Sequence, residues 1–251
     1  MILPYLKKFS SLIFLIVYGS LTLITLEAHS TNLYSQMELS INRYIINHRF
    51  GLHALTINIE MDGIPIASED KITKEIKDFL ANYPNQEDYW EIVNKNLVVF
   101  LSKLYPNQKK IQTILAIEPD STKPFSRKSI CKLYNGEIEQ QAFSFEILNH
   151  PLRNNLTSLN IAIEYDPNAS SNDYINFFTV RDAIEAFTKE NDLSNLPESA
   201  FPEKIARHLL THFTSAKGFS VTLEIPPHAN NLTKCCWKAI VLQEEIAISN
   251  K

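Results

Sequence analysis

Glu91 and Glu203 are the residues whose type and placement could do chemistry twice in one chain. Each stands near the start of a predicted amphipathic helix, and laying one on the other puts Val93 on Ile205, Leu97 on Leu209, Val98 on Leu210 and Leu101 on Phe213. One apolar helical face is therefore written twice. A carboxylate offers two acceptor oxygens in one plane, which suits a ligand edge carrying two adjacent N–H donors. The same position also suits an acid for a structural reason, because the positive end of a helix favours a carboxylate in its first turn.

Other chemistry-bearing residues give less. His208 and His212 are four apart, a spacing that puts two imidazoles on one helix face, but the glutamate of a hydrolytic metal motif is missing and the pair reads as a solvated face. His48 and His53 have no third ligand in sequence, so no metal is expected there. The five glycines do not cluster into a phosphate loop, and no cofactor is expected. Cys235 and Cys236 are adjacent and cannot bridge each other without strain. One bridge from Cys131 to either is open, with buried free thiols the simpler reading.

The elements that must position the two glutamates follow from hydrophobic period. Strands are predicted over 38–47, 53–61, 111–118 and 127–134, and again over 139–148, 156–165, 219–225 and 234–243. Two helices fall between the second and third strand of each set: one opened by Ser68 to Asp70 and one over 88–104 in the first, one over 177–189 and one from about 200 in the second. The order strand, strand, helix, helix, strand, strand thus occurs twice, an α+β tandem repeat of two ββααββ modules with helices on one face of an antiparallel sheet. The modules are placed at 38–135 and 139–243, divided at the turn signal Asn135-Gly136, with a loose tail at 244–251.

This order, with a glutamate opening the second helix of each set, resembles the tunnelling fold shared by dihydroneopterin aldolase, pyruvoyl-tetrahydropterin synthase, GTP cyclohydrolase and urate oxidase. YWEIVNKNLVVFLSKLYPNQKKIQTILAIEP resembles the aldolase helix, turn and strand; DYINFFTVRDAIEAF and FPEKIARHLLTHF are similar to segments of aldolases and pterin synthases; the tandem layout is similar to urate oxidase. The resemblance implies modules that associate into a barrel, a homo-oligomer, and a purine- or pterin-like heterocycle anchored by Glu91 and Glu203. The aldolase lysine is not reproduced: its Lys-Pro position holds Glu118-Pro119 in one copy and Ile225-Pro226 in the other. Asn176 is followed by Phe177 where a tyrosine is expected, and the zinc histidines of the synthases are missing.

Composition limits the partners. With 45% hydrophobic residues the chain can bury a substantial core, and 24 basic against 28 acidic residues without a basic run make nucleic acid a poor partner. At the N-terminus, MILPYLKK precedes the uncharged run 9–26, the layout of a cleaved export signal ending near Ala28 or of a membrane anchor. The expectation is an exported, periplasmic or secreted heterocycle-binding protein, touching membrane only through residues 1–28. The alternative is a tunnelling-fold protein without a working site, serving as an oligomeric module of the cell envelope.

Overall fold

A computed structural model describes residues 36–49, 51–62, 67–153, 155–191, 193, 195–226 and 235–249. The expected signal or anchor at 1–28 lies outside the described residues. Eight strands, β1 (Gln36–Asn47), β2 (Leu52–Asp62), β3 (Lys110–Ile117), β4 (Arg127–Tyr134), β5 (Glu137–Leu152), β6 (Asn155–Tyr165), β7 (Ala216–Ile225) and β8 (Cys235–Leu242), form one sheet in chain order, every neighbouring pair antiparallel. Helices α1 (Glu69–Ala81) and α2 (Trp90–Leu104) connect β2 to β3; α3 (Phe177–Glu190) and α4 (Phe201–His212), with a short 3-10 turn at Glu198–Ala200, connect β6 to β7. The helices cover one face of the sheet, so the molecule is an α+β fold in which the order ββααββ runs twice.

The strands alternate because one face is covered and the other open. In β3, Ile111, Thr113, Leu115 and Ile117 are buried, and in β7, Phe219, Val221, Leu223 and Ile225 are buried. Against them lie the duplicated helix faces: Val93, Leu97, Val98 and Leu101 from α2, Ile205, Leu209 and Leu210 from α4. Phe213 does not complete the second set inside a helix; it is the C-cap of α4, one turn shorter than α2.

The duplication extends to backbone irregularities. β1 slips register against β2 between Ile41 and Tyr44, with Arg43 at φ 51°, and β5 slips against β6 between Ile147 and His150, with Asn149 at φ 55°. The β4–β5 hairpin turns on Asn135 and Gly136, both left-handed at φ 50° and 86°, as a two-residue turn between twisted strands requires. That turn joins the two ββααββ sets within one continuous sheet.

Three local expectations change. The helix placed at 88–104 begins at Trp90, because Asp88 is held in the preceding turn by the Tyr83 hydroxyl at 2.7 Å and the Asn85 amide at 2.6 Å. The strand at 139–148 runs on to Leu152, the register slip letting it continue past Asn149. The tail is not loose throughout: Gln243–Ser249 is a helix, α5, opened by Glu244 and Glu245, and Ile246 packs against the core. Among the described residues no helix is long and apolar enough to cross a membrane.

Candidate functional site

Helix α2 starts beneath a cavity. Its N-cap, Tyr89, uses no side-chain cap, and the first turn closes through the Ile92 and Val93 amides donating to the Tyr89 carbonyl at 2.9 and 3.1 Å. Trp90 and Glu91 therefore open the helix side by side, both buried. Farther along the same face Asn94 fixes the helix to the sheet. Its amide donates to the Thr113 and Ser129 carbonyls at 3.3 and 3.0 Å, and it accepts from the Thr113 hydroxyl at 2.5 Å. This buried polar tie sets the height of the helix over β3 and β4, and with it the position of Glu91.

Glu91 is only 4% exposed. The Tyr165 hydroxyl, at the end of β6, donates to its Oε1 at 3.2 Å while accepting from the Ile175 amide at 3.3 Å. Burial dominates its electrostatics and pushes the carboxyl up to about 7, opposed by its own helix amide, the Tyr165 hydroxyl and the Arg49 charge. At neutral pH the group can therefore both hold and release a proton.

Around Glu91 a cavity of about 170 Å³ is lined by Tyr89, Trp90, Phe143, Ile175, Phe177 and Phe178, and on its polar side by Arg49, His53, Lys123, Arg127 and Asn176. Each element delivers its residue for a local reason. Arg49, left-handed at φ 40° in the β1–β2 hairpin, lies 4.1 Å over the Tyr89 ring. Asn176 caps α3 through the Phe178 amide at 3.0 Å, which brings Phe177 and Phe178 to the wall. Lys123 returns toward the site because Asp120 folds the β3–β4 loop, its Oδ1 accepting from the Thr122 and Lys123 amides at 2.8 Å each. Those bonds, led by the Thr122 hydroxyl, hold Asp120 down at about 2, so it is a carboxylate.

Arg127 and His53 are nearly sealed, at 2% and 4% exposed, and neither is completed by the protein. The Asp120 carboxylate stands 3.5 Å from Arg127 Nη2 and 3.7 Å from His53 Nδ1. Nε and Nη2 of Arg127 have no hydrogen-bond partner, and the His53 ring, short of full hydrogen-bond geometry, is approached by the Arg49 backbone. Burial, then the Arg127 charge, lowers the His53 pKa, and burial likewise lowers that of Arg127.

Glu203 is not brought to this cavity. It is exposed on the first turn of α4, its Oε1 2.9 Å from Arg207 Nε, and with Phe187 and His208 it lines an open surface hollow separate from the cavity at Glu91. His208 and His212 stand with ring centroids 4.2 Å apart on the outer face of the same helix. His48 bonds the Asp88 carbonyl at 2.8 Å and packs on Trp90. Among the described residues no group of three potential ligands could hold a metal ion. Cys131 is free and buried, Cys236 free and exposed.

Sequence reasoning did not pick out Arg49, Lys123 or Arg127. A signal existed for one of them. Glu118 stands at the aldolase-like lysine position and faces Arg43 at 3.6 Å, but a Lys-Pro pair occurs a few residues on, at Lys123-Pro124, and the Asp120 turn carries that lysine to the cavity.

By sequence, the chain matches no family model and no curated protein. By structure it matches a uricase from Bacillus fastidious with a TM-score of 0.61 over 86% of this chain and 93% of that one, at 12% identity. It matches urate oxidase from Bacillus subtilis with a TM-score of 0.59 over 85% of this chain and 97% of that one, at 14% identity. The chain has the tunnelling fold. At this identity the likeness concerns the path of the backbone, and what the tunnelling-fold chain does must be argued from its own side chains.

Proposed function

We propose that the chain binds a small planar heterocycle of purine or pterin type in the cavity at Glu91. The observation that carries this is a buried carboxyl, its pKa raised by burial to about 7, set among the aromatic rings of Tyr89, Trp90, Phe143, Phe177 and Phe178. Aromatic walls favour a flat ring by offset or edge contacts, and a carboxylate between them selects an edge with two adjacent donors. The volume lies below the roughly 300–1,000 Å³ of sites for drug-sized molecules, which points to one or two fused rings. The names of the structural neighbours, urate oxidase and uricase, place a purine on this fold in those proteins.

Glu91 is the anchor in this reading. Glu203, expected to be its equivalent, is assigned to the helix surface because Arg207 already occupies it. A homo-oligomer belongs to the proposal as well: among the described residues β1 and β8 each pair on one side only, and Ile45, Leu52 and Leu156 are exposed at the hairpin ends. Export is retained from the run 9–26. Cell fractionation tests the one, and light scattering on the purified chain the other.

The binding test is calorimetry with xanthine, guanine, urate and neopterin. At least one should bind, and Glu91→Gln should weaken it about ten- to a hundredfold, the range for a lost hydrogen bond to a charged group. Binding to the donor edge should also release protons near pH 7, seen as a dependence of the heat on buffer ionisation enthalpy. If none binds, or Glu91→Gln binds like the parent, the alternative of a non-catalytic envelope module replaces this reading.

A further inference from the structure

The polar side of the cavity is unlike the Glu91 side. Its lining carries three cations, Arg49, Lys123 and Arg127, against the single acid Glu91. Asp120 adds one negative charge beside them, but at 3.5 Å from Arg127 Nη2 and 3.7 Å from His53 Nδ1 it makes a hydrogen bond to neither, and its other oxygen is committed to the loop. A guanidinium so deeply buried, with Nε and Nη2 unpartnered, is costly to maintain unless a ligand completes it. Phe125, 5.6 Å below Arg127, supplies a ring face but no acceptor.

We propose that Arg127, with His53 and Lys123 beside it, is a subsite for a carboxylate group carried by the bound ring, so that the ligand is a heterocyclic carboxylate. The assignment rests on the heterocycle reading above. A carboxylate matches the two-pronged donor edge of a guanidinium in one plane, where a tetrahedral phosphate dianion would bring a larger charge up against Asp120. His53, its pKa lowered by burial and then by the Arg127 charge, adds a polar ring to the wall beside the guanidinium, and Lys123 adds a positive charge to the lining.

The test compares rings that differ by the carboxylate alone: purine-6-carboxylate against purine, and orotate against uracil, measured by calorimetry on the unaltered chain. The carboxylated member should bind at least about tenfold tighter. Arg127→Gln should remove that preference, and Arg127→Lys, which keeps the charge and loses the fork, should restore only part of it. Equal binding within a pair overturns the subsite while leaving the heterocycle reading in place. So does urate, whose ring carries no carboxylate, binding as tightly as the carboxylated probes, or inorganic phosphate displacing them. If no heterocycle binds, benzoate separates the two ideas. Benzoate binding that depends on Arg127 supports the subsite and removes the ring reading, and absence of benzoate binding overturns both. Because the paired comparison needs no substitution, it decides the matter even if both Arg127 variants fail to fold.

Discussion

The start of α2 and the start of α4 were built to one plan and have come to different ends. Each helix opens with a buried aromatic, Trp90 or Phe201, followed by a glutamate in the first turn. Each is approached by a left-handed arginine from the hairpin of its own ββααββ set: Arg49 over Tyr89 at 4.1 Å, and Arg153 over Phe201 at 5.3 Å. The difference lies in what covers the glutamate. Over Glu91 fold the end of β6 and residues 174–178, which belong to the other ββααββ set, and they bring the Tyr165 hydroxyl and the Phe177 and Phe178 rings. Nothing among the described residues does the same over Glu203, and it pairs with Arg207 in solvent. Beneath the helices the contrast recurs, since Asn94 is tied to Thr113 and Ser129 while the matching residue of α4 is Ala206, over an apolar β7. A duplicated scaffold thus fixes where a cavity can be, and only a covering segment encloses it.

If the scaffold is shared and the site is not, substitutions in the duplicated core should cost the same in both halves. Leu97→Ala and Leu209→Ala each empty a fully buried position between helix and sheet. Each should lower stability by about 2–5 kcal/mol, the transfer loss plus the residual cavity, and the two should agree within about 1 kcal/mol. Urea unfolding at neutral pH measures both. A much smaller cost for Leu209→Ala would mean that the second half is loosely packed and that the likeness of the two helices is one of pattern only.

The next contrast is electrostatic and belongs to Glu91. Its folded pKa, about 7, lies above the ordinary 4.5, so the folded state binds its proton more tightly than the unfolded chain does. The stability it contributes is therefore full below pH 4.5 and is lost as pH rises through about 7. At 1.36 kcal/mol per unit the loss is about 3 kcal/mol. The buried histidines His48, His53 and His150 run the other way: their pKa values are lowered, chiefly by burial, so stability falls as pH drops below 6.5. Subtracting the Glu91→Gln profile from that of the parent removes the histidines. The difference should slope steadily between pH 4.5 and 7.5 in denaturant melts, and a flat difference would show Glu91 to be solvated and the cavity open.

Much of this was legible in the sequence. The strands of β3 and β7 announce themselves by alternation, the helices by a repeated apolar stripe, and the order of elements by turn signals such as Asn135-Gly136. Those are local consequences of burying one face. The lining of the candidate site was less legible. Glu91 stood out because it recurs as Glu203, yet the recurrence could not say which copy is covered, since the cover comes from residues 174–178, more than 80 positions downstream of Glu91. Arg127 was invisible for the same reason: at the first position of a strand it reads as a solvent-facing end, and only the fold places it under the β3–β4 loop with 2% exposure. Lys123 depends on the Asp120 turn, whose hydrogen bonds span three residues but whose direction the sheet decides.

Glu203 and Arg207 form an i,i+4 pair on an exposed helix surface, and pairs of that kind contribute about 0.3–0.5 kcal/mol. Glu203 also sits in the first turn of α4, where the helix dipole adds a few tenths more at low salt. Glu203→Gln should therefore cost no more than about 1 kcal/mol in 20 mM salt and less in 0.5 M, where the Debye length is only a few ångströms. It should leave heterocycle affinity within about twofold of the parent, whereas Glu91→Gln lowers it tenfold or more. If instead Glu203→Gln abolished binding, or dissociated an oligomer seen by light scattering, the solvent-facing surface of α4 would be a contact made only between copies of the chain. The cover that residues 174–178 give to Glu91 would then have its counterpart in a neighbouring molecule, and the two helix starts would be alike after all.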